Sequence, residues 1–338
     1  MIRFTWRQFR PQALVALGTL LAVAIVVLVT HAHLVHMFSE SANNAPLGLY
    51  DRIVSFLEQA LNFVVLAVPA LIGMFWGAPL VAREFESGTF RLAWTQGVTR
   101  TRWLVVKLSV IGLASMIVAG LFSLIVTWWS RPIDSASLDR FETVFSERGM
   151  TPMGYALFAF ALGVTAGVLI RRIQPAMVTT LVAFIATRVA VTFWVRQHLW
   201  PPAHTSLALT SSQVQFAILR GPSGLMVYAS TRIPNAWVYS TEIVDKAGHA
   251  PSAQVITSLF GNVEGPGGTT KIGPASGLGQ NLQAAIAKLA PTYHALVTYQ
   301  PASRYWAFQG LETAIFIALA VALAGVSFWW CTGAFEAR

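Results

Sequence analysis

Six stretches of this chain are apolar for long enough to cross a bilayer, and that count limits the fold more than any motif does. A spanning helix needs roughly 20 mostly apolar residues. Residues 13–35, 61–82, 103–129, 153–170, 175–195 and 307–330 meet that requirement within tolerance. In hydrocarbon a backbone N–H or C=O has no water to bond, so each run must pair its own polar groups as a helix. Composition agrees: 55% of the residues are hydrophobic, 11% are charged and mean hydropathy is +0.59. A soluble domain of this size carries more charge than that, so the expected class is an all-α polytopic membrane protein.

The net charge of +9 would suit a nucleic-acid binder if the basic residues formed a face, but they cluster at the ends of the apolar runs. They therefore read as topology signals, and no nucleic-acid partner is expected. With the N-terminus inside, the inner segments hold Arg3, Arg7 and Arg10, then Arg83 to Lys107, then Arg171 and Arg172, then Arg338. The outer segments hold fewer basic residues, offset by acids such as Asp51, Glu58, Asp134 and Glu147. Both termini are thus expected in the cytosol. Trp103 and Trp329–Trp330 fall at inner span ends, and Trp128–Trp129, Trp194 and Trp306 at outer ends, as an aromatic belt would place them.

Residues 1–10 alternate in a helical sense, with Ile2, Trp6 and Phe9 opposite the three arginines. This suits an interfacial helix that Pro11 turns into the bilayer. A signal peptide is the competing reading, but the run from Ala13 is longer than a signal core, so an uncleaved first span is preferred. Gly73-xxx-Gly77 in the second span and Ala159-xxx-Gly163-xxx-Gly167 in the fourth would let helix backbones approach closely. Pro69 predicts a kink in the second span.

Three domains follow: 1–195 with five spans, 196–306 as a small α+β extracytoplasmic domain, and 307–338 with the sixth span and a cytoplasmic tail. In the middle one, 214–219, 225–230 and 237–243 read as strands and 261–279 as a Gly-rich loop. Leu282, Ala285, Ile286, Leu289, Tyr293, Leu296 and Val297 predict an amphipathic helix.

Between the second and third spans lies a polar interruption, 77–108, punctuated by Gly and Thr, which has to leave the membrane and return. Phe90, Ala93, Trp94 and Gly97 share one helical face, while Glu84, Ser87 or Gly88, Arg91 and Thr95 share the other. Such a helix would lie in the interface with its charges toward water or a partner; an ordinary loop helix without a partner fits the pattern equally. Arg83-Glu84 closing an apolar span, then Gly88-Thr89, then Thr99-Arg100-Thr101-Arg102 and Lys107 opening the next, resembles the permease subunits of the ABC-2 type exporter family.

That resemblance covers residues 1–195 and the last span. It implies that the interruption is a coupling helix docking on a separate cytosolic ABC ATPase, with Glu84, Glu86, Gly88, Thr89, Arg91 and Trp94 making the contact. It further implies a complex with a second copy of the chain in a bacterial plasma membrane, with ATP and Mg held by the ATPase and no cofactor here. The second and fifth spans would line the path of a lipophilic or drug-like substrate, which places Asn62, Phe63, Met74, Phe75, Thr180, Phe184, Thr187 and Arg188 beside it. The large outer segment departs from simpler permeases and keeps a second class open: a receptor whose outer domain binds an antibiotic or peptide and signals through the cytoplasmic hairpin.

Other candidates weigh less. The run from Gly265 to Lys271 lacks the Gly-Lys-Ser/Thr ending of a phosphate loop and has no clear strand before it. His31 and His33 point about 200° apart on a helix, so only His33 and His36 could share a metal, and interfacial histidines are the preferred reading. Arg188 reads as the one charge inside a span, either facing the bundle interior or snorkelling to the outer surface. The hydroxyls of the spans find no acid partner in this reading, so no catalytic set is expected. The lone cysteine, Cys331, permits no intrachain disulfide and is expected buried or interfacial.

Overall fold

The computed structural model describes residues 2–40, 49–88, 99–131, 141, 145–209, 214–221, 224–231, 233–252, 254–255, 258, 269–270 and 286–333. Among these, six helices are long and apolar enough to span a membrane, one at each run expected from the sequence. Helix α1 (Ile2–Glu40) is continuous through Pro11. The chain does not leave the helix there: a proline removes one bond from the ladder but need not end it. Helix α2 (residues 49–87) is α-helical over Leu49–Ile72, passes through a π-turn at Gly73–Gly77 and resumes over Ala78–Ser87. The helix stays α-helical through Pro69, and its irregularity is the wide turn that begins four residues later. Helices α3 (Arg100–Trp129), α4 (Thr151–Ile170), α5 (Ile173–His198) and α6 (Tyr305–Gly333) follow, and α5 contains its own π-turn at Val191–Val195.

The chain divides into two compact units. The first is Met1–Ser137, Thr143–Leu199 and Trp306–Arg338; the second is Leu138–Glu142 and Trp200–Tyr305. Arg196, expected to open the outer domain, instead belongs to the last turn of α5.

The first unit is built around α4. Within its most apolar window 72% of α4 is buried, against 11% for α1. The cause is its small residues. A Cβ on Gly163 would lie 2.7 Å from the Ala78 nitrogen and 2.9 Å from the Gly77 Cα, and one on Gly167 would lie 2.6 Å from the Ala78 oxygen. From the other side, a Cβ on Gly73 or Gly77 would lie 2.6 Å from the carbonyl oxygens of Ala159 and Phe160 respectively. The two small-residue motifs seen in the sequence therefore face each other, backbone against backbone. On its other flank α4 meets α6, where Thr165 Oγ1 sits 3.0 Å from Ser327 Oγ and 3.1 Å from the Leu323 oxygen. Cys331 is buried in the core that α1, α2 and α3 share with α4.

The tryptophans split. Trp194, Trp306 and Trp329 are exposed, as a belt needs. Trp103 and Trp129 are fully enclosed, and Trp129 Nε1 donates to Thr30 Oγ1 at 2.9 Å, so it bolts α3 to α1 rather than marking an interface.

Among the described residues the second unit holds two antiparallel three-stranded sheets. One has the order β1-β6-β4, formed by Ala203–Leu207, Tyr293–Gln300 and Trp237–Asp245; the other has the order β3-β2-β5, formed by Gly224–Thr231, Val214–Gly221 and Thr269–Thr270. Central β6 buries Ala295 and Val297 on one face. The amphipathic helix expected here is corrected: residues 286–289 are helical, but Tyr293, Leu296 and Val297 lie on β6. Val297 pairs with Thr205 and Thr241 on either side, and β-branched and aromatic residues favour that extended ladder. Leu282, Ala285 and all of the Gly-rich loop except Thr269–Thr270 lie outside the described residues.

Candidate functional site

Two groups of buried charge stand out in the first unit, at opposite ends of its helices. The first lies where the polar hairpin joins α2 to α3. Helix α2 ends at Gly88, whose φ of +70° supplies the left-handed cap that a side chain would resist. One turn earlier Glu84 is buried and accepts a hydrogen bond from Lys107 Nζ of α3. The ammonium also lies 4.5 Å from the centre of the Trp103 ring. The helical pattern puts Glu84 on the face toward water or a partner; in the structure it turns inward because Lys107 supplies the counter-charge that a buried carboxylate needs. Glu86 is exposed, and its Oε2 accepts from the Ile173 backbone nitrogen at 3.2 Å, at the N-terminus of α5, where the helix dipole favours an anion. Arg171, between α4 and α5, lies 5.7 Å from the Phe85 ring centre. The root of the hairpin is therefore tied to α3 and to the α4–α5 junction. Thr89, Arg91 and Trp94 lie outside the described residues.

The second group joins α4, α5 and α6. Glu312 is wholly buried; its Oε2 accepts from Arg196 Nε at 2.8 Å, and its Oε1 accepts from Arg196 Nη2 at 2.9 Å and from the Tyr155 hydroxyl. Arg196 also donates to Ser146 Oγ at 2.7 Å and lies over the Phe145 ring. Arg188 stacks on Tyr155, its guanidinium carbon 3.8 Å from the ring centre, and brings Nη1 to 3.8 Å from Glu312 Oε1. That last distance is too long for a hydrogen bond. On a regular α-helix Arg188 and Arg196 would point about 80° apart. The π-turn between them holds one residue more and takes up most of the offset, so both reach one carboxylate.

One turn away, Gln309 Oε1 accepts from the Met150 and Thr151 nitrogens at 3.1 and 3.2 Å, capping α4 from another helix. Gly149, at φ +73°, lets it in: a Cβ there would lie 2.8 Å from that oxygen.

Of the expected pathway residues, Thr180, Phe184 and Arg188 line the buried face of α5. Phe184 packs on Phe158 of α4, and the hydroxyls of Thr180 and Thr187 bond back to the Ala176 and Ala183 oxygens of their own helix. Phe63 and Phe75 point outward, 69% and 48% exposed, while Asn62 and Met74 are half-buried. The set does not converge on one surface of the single chain. Arg188 takes the interior alternative, not the snorkelling one, because Glu312 and Tyr155 hold it there. His31 stacks on Trp128 with ring centres 4.1 Å apart, an apolar contact; the side chains of His33 and His36 lie outside the described residues.

Glu312 and Arg196 were missed by the sequence reading, and the idea that Arg188 is the one intraspan charge is corrected by them. The signal was present: a lone carboxylate five residues into the sixth apolar run is costly unless paired.

Residues 15–196, more than half of the chain, match the family model described as ABC-2 membrane transporter related. No curated protein and no solved structure matches the chain.

Proposed function

The chain belongs to the ABC-2 membrane transporter related family, and from that premise we propose that it is the membrane subunit of an ATP-driven exporter, paired with a second copy and worked by a separate cytosolic ATPase. The observation that supports this reading best is the wiring of the hairpin root. Glu84 reaches α3, Glu86 reaches the start of α5, and α2 is itself packed backbone to backbone on α4. A push on residues 88–99 is then passed to four spans without slack, which is what a motor docked on a permease requires. Gly88, Thr89, Arg91 and Trp94 are the contacts we assign to the ATPase; Glu84 and Glu86 act behind them as anchors. In this reading both termini and the hairpin are cytosolic, the second unit is extracytoplasmic, and the membrane is a bacterial plasma membrane.

The π-turns in α2 and α5, the spans that the family likeness puts beside the substrate path, support a role for both in the moving part. Outward-facing Phe63 and Phe75 suit the seam between two copies. Alternating access then follows as ATP-driven closure of the motors shifts the population of two bundle arrangements.

Purification of the full chain from native membranes in mild detergent tests the reading. An ATPase subunit with phosphate-loop and signature motifs should accompany it in equal amount, and Arg91→Ala together with Trp94→Ala should release that subunit. A chain that purifies without an ATPase, yet responds to an antibiotic or peptide through its second unit, would favour a receptor instead.

A further inference from the structure

Within the described residues the cluster at Glu312 does not balance its own charge. Arg188 and Arg196 bring two positive charges to one carboxylate, and counting the flanking Glu147 and Arg148 leaves the excess at one. An unneutralised guanidinium at a level reached by apolar helices is expensive and marks a site of function. Glu312 is already committed, since Arg196 grips both its oxygens and Tyr155 takes one of them again. Arg188 is left with a long electrostatic contact and a ring beneath it. Its side chain is nine-tenths buried, yet the buried Nη1 has no hydrogen-bond partner. A buried donor without an acceptor is a lasting penalty, removed when an anionic oxygen arrives.

Beside Arg188, the outward face of α5 carries Val178, Val182, Ile185 and Val189, each half to two-thirds exposed and spaced three or four residues apart. The stripe runs about 90° round the helix from Arg188, so a hydrocarbon tail lying along it would end beside a buried cation that has no hydrogen-bonded acceptor on Nη1.

We propose that Arg188 is the head-group subsite for an anionic amphiphile, a molecule with a carboxylate or phosphate at one end and a hydrocarbon tail lying along Val178–Val189. The site binds the anion through Arg188, while the Glu312–Arg196 pair holds Tyr155 and α6 in place behind it. That the bound amphiphile is cargo rests on the transport reading; that an anion binds does not. The sign of the charge also opposes a cationic drug as the ligand of this subsite.

The test uses the full chain in a neutral maltoside detergent, titrated with dodecyl phosphate, oleate and dodecyltrimethylammonium while the fluorescence of the tryptophans, exposed Trp194 of α5 among them, is followed. The two anions should bind saturably and the cation should neither bind nor compete. Arg188→Gln should weaken the anions at least about tenfold, the loss of one hydrogen bond to a charged group, with Arg188→Lys in between. Arg188→Gln leaves Glu312 with a single full partner, so the variant should remain folded; if it does not, Arg188→Lys and the choice between anion and cation by the unaltered chain still decide. Equal affinity in all three proteins, or preference for the cation, overturns the proposal.

With the ATPase present in proteoliposomes, stimulation of ATP hydrolysis by dodecyl phosphate assigns the site to cargo. Phosphatidylglycerol carried through purification by the unaltered chain but not by Arg188→Gln, with no stimulation of hydrolysis by dodecyl phosphate in the unaltered complex, assigns it to a resident lipid. Failure of binding in detergent removes the subsite and leaves the transporter standing; binding without any associated ATPase does the reverse.

Discussion

The two buried ionic groups of the helical unit are solved differently. At the hairpin end one carboxylate meets one ammonium, Glu84 with Lys107, and the account closes. At the other end one carboxylate meets two guanidiniums, and Arg188 is held close without being satisfied. A closed pair transmits force between the helices that it joins; an open one has capacity left for something else. The difference separates a joint from a binding group, and each can be attacked separately.

The largest effect is expected for Glu312→Gln, which strands two buried cations where a broken buried pair ordinarily costs about 3–5 kcal/mol. Yield of monodisperse protein and melting temperature should fall at least as far as for any other single change in the bundle. Glu84→Leu should cost a similar amount by stranding Lys107, but Glu84→Leu with Lys107→Met should recover most of it, since an apolar substitute for a closed pair is often neutral. The parallel double change Glu312→Leu with Arg196→Met should not recover, because Arg188 would remain. Recovery at both ends would erase the distinction.

Legibility in the sequence was equally divided. Spans and close-packing glycines could be read because each rests on a local pattern: run length or spacing of four. Thr180 and Phe184 could be listed as polar or bulky residues of α5, but not assigned a direction, because that depends on which neighbour covers the helix. Arg196 was hidden for another reason. An eight-residue separation from Arg188 argues against a shared face until the π-turn is known, and such a turn has no clear composition. Tyr293, Leu296 and Val297 fit a helical spacing by accident; pairing with two other strands decided against it.

Between the two ends lies α4, whose packing makes them one body. Gly163→Val should lower stability by about 1–3 kcal/mol, the usual range for overpacking, since the backbone of Gly77 and Ala78 blocks the new atoms. Gly325→Ala, where nothing lies within 4 Å of an added Cβ, should not lower the melting temperature. Among the changes that remove an interaction, the smallest effect on stability belongs to Glu86→Gln, about 0.3–1 kcal/mol for a charge at a helix N-terminus. Its effect on coupling should be larger than its effect on folding: ATP hydrolysis by the assembled complex should continue while transport per ATP falls. Equal loss of both would mean that Glu86 is structural only.

The central claim is that the hairpin of residues 88–99 meets a cytosolic motor, and cysteine labelling addresses it most directly. Cys331 is buried and can be replaced by serine, leaving Trp94→Cys as the one reporter. A membrane-impermeant maleimide should label position 94 in inside-out vesicles, and an added ATPase subunit should protect it. Labelling of the same position in intact cells would contradict the account.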